Sequence, residues 1–198
     1  MGRVSQAQAQ ENRQRVVATA SRMFREKGTA VSVADLMKTV GLTHGGFYKQ
    51  FASKEDLVDE ATAHAFAEQA AHSAVELEEH AGERAAARRT LIERYLSVWH
   101  RDHAGDGCPI AGLAADLARE PDQAARAHHA YINGVRNQAA RLATGDDDGL
   151  AQLCTMVGAL VLARATRGNL LSEELLQAAR TALTESGTEQ CEPQQRTD

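Results

Sequence analysis

Residues 31–54, VSVADLMKTVGLTHGGFYKQFASK, contain two short helical patterns separated by a single glycine. Val33, Leu36, Met37 and Val40 recur at i, i+3, i+4 and i+7, which puts them on one buried stripe of a helix. Gly41 follows at once and can take the positive φ that closes a helix C-terminus. Thr43 stands where the next helix needs an N-cap, with a hydroxyl placed to accept a backbone N–H. Phe47 and Phe51 turn two rings to one side as an anchor, while His44, Gly45, Gly46, Tyr48, Lys49 and Gln50 fall on the other. Two glycines weaken a short helix by about 1 kcal/mol each, and close approach to another backbone, such as that of DNA, is a reason to keep them. This is the pattern of a helix-turn-helix whose second helix enters a major groove. A hairpin buried in a core has no need of Tyr48, Lys49, Gln50 and Lys54 turned outward beside two glycines.

The net charge of −5 opposes DNA binding until it is divided along the chain. Residues 1–54 hold nine Lys and Arg against three acids, a net +6, and the remainder holds thirteen against twenty-four, a net −11. A positive end would meet phosphates and an acidic body would be repelled by them, which favours one orientation over general coating of nucleic acid. Alanine is abundant, proline scarce and β-branched runs absent, so the expected class is all-α, with about nine helices. No apolar run is long enough for a membrane span, and the first residues, MGRVSQAQAQENRQ, lack the apolar core of a signal peptide. Cys108, Cys154 and Cys191 show neither CxxC nor zinc spacing, so a cytoplasmic setting with reduced thiols is expected.

The expected order is a disordered arm at 1–10, a DNA-binding domain at 11–54, a helical body at 55–186 and a disordered tail at 187–198. Helix 11–27 carries Val16, Val17, Ala20, Met23 and Phe24 and stops at Gly28; Ser32 caps the next helix. Ser53 caps a fourth helix running to about 80, with Glu55 and Asp56 in its first turn, and Lys54 there is placed to meet a phosphate. Further helices are expected at 83–102, 109–119 (with Pro109 in the first turn), 122–143, 149–166 and 172–185. The helix at 149–166 is apolar over most of its circumference, through Leu150, Leu153, Cys154, Met156, Val157, Leu160, Val161 and Leu162, so it needs covering on more than one side. Gly158, Ala159 and Ala163 would admit a close neighbour. With the stripe Leu175, Leu176, Ala179 and Leu183 at 172–185, it makes the expected four-helix homodimer interface.

The run ENRQRVVATASRMFREKG, then VADLMKTVGLT, HGGFYKQF and SKEDLV in unbroken order, resembles the TetR family of transcriptional regulators over about residues 11–66. The resemblance implies a three-helix DNA-binding domain, a carboxy-terminal ligand-binding and dimerisation domain, and a repressor released from a palindromic operator by a small molecule. DNA contacts are then expected from Thr43, His44, Gly45, Tyr48, Lys49, Gln50 and Lys54. Since family pockets lie among the body helices, the resemblance makes Phe66, Tyr95, Trp99, Cys108, Leu113, Tyr131 and Met156 candidate ligand contacts. The segment DGCPIAGLAADLA resembles one found in part of the family, some members of which sense electrophiles or oxidants through this cysteine. Cys108 at a helix N-terminus is therefore a rival, thiol-based switch. A third possibility is a DNA-binding protein on this fold with no inducer. No cofactor or metal site is expected: His64, His72 and His80 sit about 12 Å apart in turn along a helix at 1.5 Å per residue. The chain has no Gly-x-Ser-x-Gly, HExxH or P-loop, and is not expected to be an enzyme.

Overall fold

The computed structural model describes residues 6–79, 83–119, 126–145 and 147–185, of which 73–79 as backbone only. Among them are ten α-helices and no strand: α1 Gln6–Lys27, α2 Val33–Thr39, α3 His44–Phe47, α4 Lys54–Glu79, α5 Arg84–Tyr95, α6 Val98–Asp102, α7 Pro109–Leu117, α8 Arg126–Leu142, α9 Leu150–Ala165 and α10 Leu171–Glu185. The all-α expectation holds. Helix α1 starts within the expected arm, because Gln and Ala at 6–10 are good helix formers and Gln8 donates to Glu11 one turn on. Residues 1–5 and the tail with Cys191 lie outside the described residues.

The chain separates into two compact units, one from Met1–Glu76 and His103–Asn137, the other from Leu77–Asp102 and Gln138–Asp198. In the first, the expected apolar stripes meet in a single core: Val16, Ala20 and Phe24 of α1, Leu36 and Met37 of α2, Phe47, Phe51, and Leu57 and Ala61 of α4. Leu113 and Leu117 of α7 belong to that same core, so the DNA-binding segment does not end as a packing unit at residue 54. Polar ties reinforce the junction. The buried Arg25 guanidinium donates to the Ser21 and Gly107 carbonyls and to Glu68, while Asp116 accepts the Thr29 N–H at 2.8 Å. Gly112 suits the close approach of α7 to α1, since a Cβ there would stand 3.0 Å from Arg25 Cα.

The second unit packs α9 on α10, with α5 and α6 alongside. Sequence periodicity predicts one helix over 83–102; it breaks after Tyr95 because Ser97 caps a new helix, accepting the His100 N–H at 3.1 Å. His100 then donates from Nδ1 to the Tyr95 carbonyl at 2.7 Å. Buried His100 is shifted down to about 4, first by loss of water and next, against its bond to Tyr95, by the nearby Arg164 and Arg94 charges. Arg101 reaches Ser172 and Asp102, and Ser172 donates to the Ala163 carbonyl, fastening α6 and α10 to α9.

Candidate nucleic-acid interface

Local chemistry sets the turn as expected at Gly41, whose φ is +72°. Ser32 caps α2 by accepting the Asp35 N–H, and Ser53 accepts the Asp56 N–H at the start of α4. The second helix differs from the expectation. Helix α3 spans only His44–Phe47; Tyr48, Lys49 and Gln50 follow in a turn closed by the Gln50 and Phe51 N–H groups on the Phe47 carbonyl. Two adjacent glycines give a helix little support, and α4 must begin by Lys54, so the chain turns early. Thr43 occupies the N-cap with extended backbone, φ −82° and ψ 149°, yet its side chain makes no capping bond; the Thr43 carbonyl accepts from Gly46 instead.

Phe47 and Phe51 are buried and stacked at 5.3 Å, the anchor expected of them. Thr43, His44, Gly45, Tyr48 and Lys49 are exposed, Tyr48 to 61%, and the His44 and Tyr48 rings meet edge-on at 5.6 Å. Gln50 is only half-exposed, with its Oε1 buried, because the turn draws it toward the body of the module. A Cβ on Gly45 would meet nothing within 4 Å, so the fold itself does not require that glycine. Lys54 begins α4 beside Glu55, whose carboxyl is lowered first by its own backbone N–H and then by Ser53.

The structure redistributes the positive charge counted in the sequence. Arg13 pairs with Glu60, Arg22 with Asp106 and Arg25 with Glu68, and Arg15 donates to the Val40 carbonyl that ends α2. Four of the nine cations thus hold the module together, while Lys27, Lys38, Lys49 and Lys54 form no ion pair among the described residues. Sequence reading missed this division. The available signal was position: Arg13 sits three and four residues before Val16 and Val17, on the flank of the buried stripe.

The seven candidate ligand contacts divide between the two units. Phe66, Cys108, Leu113 and Tyr131 belong to the first unit, and Tyr95, Trp99 and Met156 to the second. Leu113 lies in the core under α1 and α2, Met156 is fully buried, and Trp99 is 56% exposed. Periodicity marks a residue as apolar-facing but not which of two cores it enters. Within the first unit, Phe66 and Tyr131 pack edge-on at 6.0 Å, and the Tyr131 hydroxyl donates to the Ile110 carbonyl. Burial, then the neighbouring Cys108, pushes Tyr131 up to about 12. Cys108 is the N-cap of α7 as anticipated, but it is 5% exposed and its Sγ accepts from Gln69 at 3.6 Å. A cleft of about 680 Å³ beside the start of α4 is lined by Lys54, Asp56, Asp59, Asp116 and Arg119 and by none of the seven. Among the described residues no three His, Cys, Asp or Glu side chains are grouped to hold a metal ion, and no helix is long and apolar enough to cross a membrane.

Residues 16–61, which include α3, the turn after it and the start of α4, match the family model described as bacterial regulatory proteins, tetR family. The HTH-type transcriptional regulator AcrR of Shigella flexneri is 36% identical over 61 residues, 30% of this chain and 28% of that protein. The likeness to this curated relative thus spans little more than a quarter of its length. Solved structures extend the resemblance in fold to nearly the full chain. Reduced NemR of E. coli matches with a TM-score of 0.72 at 18% identity, covering 88% of this chain and 96% of NemR. A TetR-family regulator from Agrobacterium tumefaciens matches with a TM-score of 0.73 at 21% identity, covering 90% and 98%.

Proposed function

We propose that the chain, whose residues 16–61 match the tetR family of bacterial regulatory proteins, acts as a DNA-binding transcriptional regulator, a homodimeric repressor released from its operator by a small molecule. One observation carries the reading. A polar, aromatic and cationic surface of His44, Tyr48 and Lys49 stands exposed on two buried phenylalanines, with Lys54 beside it at the first turn of α4. A lysine at a helix start suits a phosphate, while side chains of the preceding turn suit base edges. Gly45, unneeded by the fold, leaves room for a nucleic-acid backbone to come close.

The exposed face of α9 supports pairing. Leu150, Val161 and Leu162 are 44%, 44% and 53% exposed, with Cys154 and Gly158 open on the same helix. The expected contribution of α10 is smaller than its stripe suggested, since Leu176, Ala179 and Leu183 are buried within the subunit. A two-fold pair would offer two reading turns to half-sites about 34–36 Å apart on one face of the duplex. An effector in the body would act only through its difference in affinity between operator-matched and mismatched conformers.

The test is selection of a duplex from a random library by the purified protein, followed by titration of that duplex at several salt concentrations. Lys54→Ala should weaken all sequences nearly alike and reduce the slope of log K against log salt by about one. His44→Ala should change which sequence is preferred, with a loss of about 1–3 kcal/mol at the base pair it reads. Enrichment of no sequence by the wild type would remove the reading.

A further inference from the structure

Arg13 is a cation in the segment that would meet DNA, yet its guanidinium is turned into the module. It donates through both terminal nitrogens to the two carboxylate oxygens of Glu60 on α4. Its Cζ lies 4.6 Å above the centre of the Phe51 ring. The two side chains are 37% and 26% exposed, so water screens the pair only partly. From Phe51 a continuous series of rings leads outward. Phe51 stacks on Phe47 at 5.3 Å, Phe47 meets Tyr48 at 5.1 Å with planes at 88°, and Tyr48 meets His44 at 5.6 Å. The series begins at an ion pair joining α1 to α4 and ends on the exposed reading surface.

Resting on the DNA-binding reading above, we propose that Arg13, held by Glu60, is a positioning residue that sets the pose of the His44–Tyr48 reading surface through Phe51 and Phe47, and makes no phosphate contact of its own. The physical case is the shape of the group. A planar guanidinium can engage a carboxylate with two parallel bonds along its edge while its face lies on an aromatic ring, and a lysine ammonium can do neither in that geometry. The pose matters because α3 has only four residues and no side-chain cap from Thr43. So short an element does not fix its own orientation. Arg15, whose terminal nitrogen donates to the Val40 carbonyl at 2.9 Å, steadies the turn on the other side of α3, where α2 ends.

The experiment compares the intact wild-type chain with Arg13→Gln, Arg13→Lys and Glu60→Gln. The probes are the duplex that the wild type enriches from a random library and a scrambled duplex of equal length, each titrated over a range of salt. Arg13→Gln and Glu60→Gln should each cost about tenfold on the enriched duplex, change the scrambled one by less than about twofold, and leave the salt slope alone. Arg13→Lys should not restore the loss. Glu60→Gln is the sharpest arm because the alternative reverses its sign: if Arg13 were a phosphate ligand, removing its partner would free it and tighten both duplexes. That result overturns the proposal, as does a loss in Arg13→Gln that is equal on both duplexes, whether from a lower salt slope or from a smaller folded fraction. No change in any variant overturns it as well. A wild type that enriches nothing removes the DNA-binding reading instead, a failure visible before any variant is made.

Discussion

His100 shows how one buried side chain carries a pH dependence. The folded chain keeps it neutral down to about 4, whereas the unfolded chain protonates it near 6.5. Between those values the unfolded state binds the extra proton. The stabilisation from the neutral ring is therefore complete above 6.5 and lost as pH falls toward 4. The loss is on the order of 3 kcal/mol at most for a shift of this size. Urea unfolding from pH 7 to pH 4 should show it as a component absent from His100→Asn, and parallel pH profiles for the two proteins would contradict it. Among the thiols, exposure rather than location at a helix start governs access. Cys108 is buried under Gln69 and Cys154 is exposed on α9. Brief treatment of single subunits with iodoacetamide should label the Cys154 peptide well before that of Cys108, as read by mass spectrometry, whereas pairing through α9 would cover Cys154. Faster labelling of Cys108 would favour a thiol-based switch.

At the scale of elements, caps and glycines decide where helices stop. Gly149 precedes α9 with φ +76°, and a Cβ there would stand 2.1 Å from the Ala139 carbonyl oxygen at the end of α8. The Asp147 carboxylate accepts its N–H at 2.6 Å. Gly149→Ala meets both a strained φ and a backbone clash, and should lower unfolding free energy by about 2–3 kcal/mol. Gly168→Ala, at φ +91° in open space, has only the φ cost and should lose about 1 kcal/mol. Comparing the two by denaturant melts separates the terms. Much of this layer was legible in the sequence: Ser32 and Ser53 cap, Gly28 and Gly41 stop their helices, and Pro109 opens α7. The short α3 and the break at Ser97 were not, because the apolar spacing continues through both and only competing local hydrogen bonds interrupt them.

For the whole molecule, the uncovered apolar face of α9 is the feature with the largest consequence. Leu162→Glu puts a charge on a surface residue of the isolated subunit, so it should leave the melting behaviour of one subunit nearly intact. In a dimer the same charge would be buried without a partner. Sedimentation should therefore find the variant as single subunits and the wild type as pairs, and the variant should lose tight binding to a palindromic duplex. A wild type that sediments as one subunit would contradict the interface.

Much of this protein was determined by its sequence alone. Helical periodicity, capping residues and positive-φ glycines act over a few neighbours, so the all-helical class, the helix-turn-helix and its two-phenylalanine anchor could be read from the order of residues. Charge, burial and pairing over long separations were decided only in three dimensions. Arg13 and Glu60 lie 47 positions apart, and Arg25 and Gly107 lie 82 apart. Which arginines face solvent and which brace the reader depends on how helices pack. So does the membership of Leu113 in one core and Met156 in the other, because a helical stripe specifies that a face is covered and leaves its neighbour to the packing.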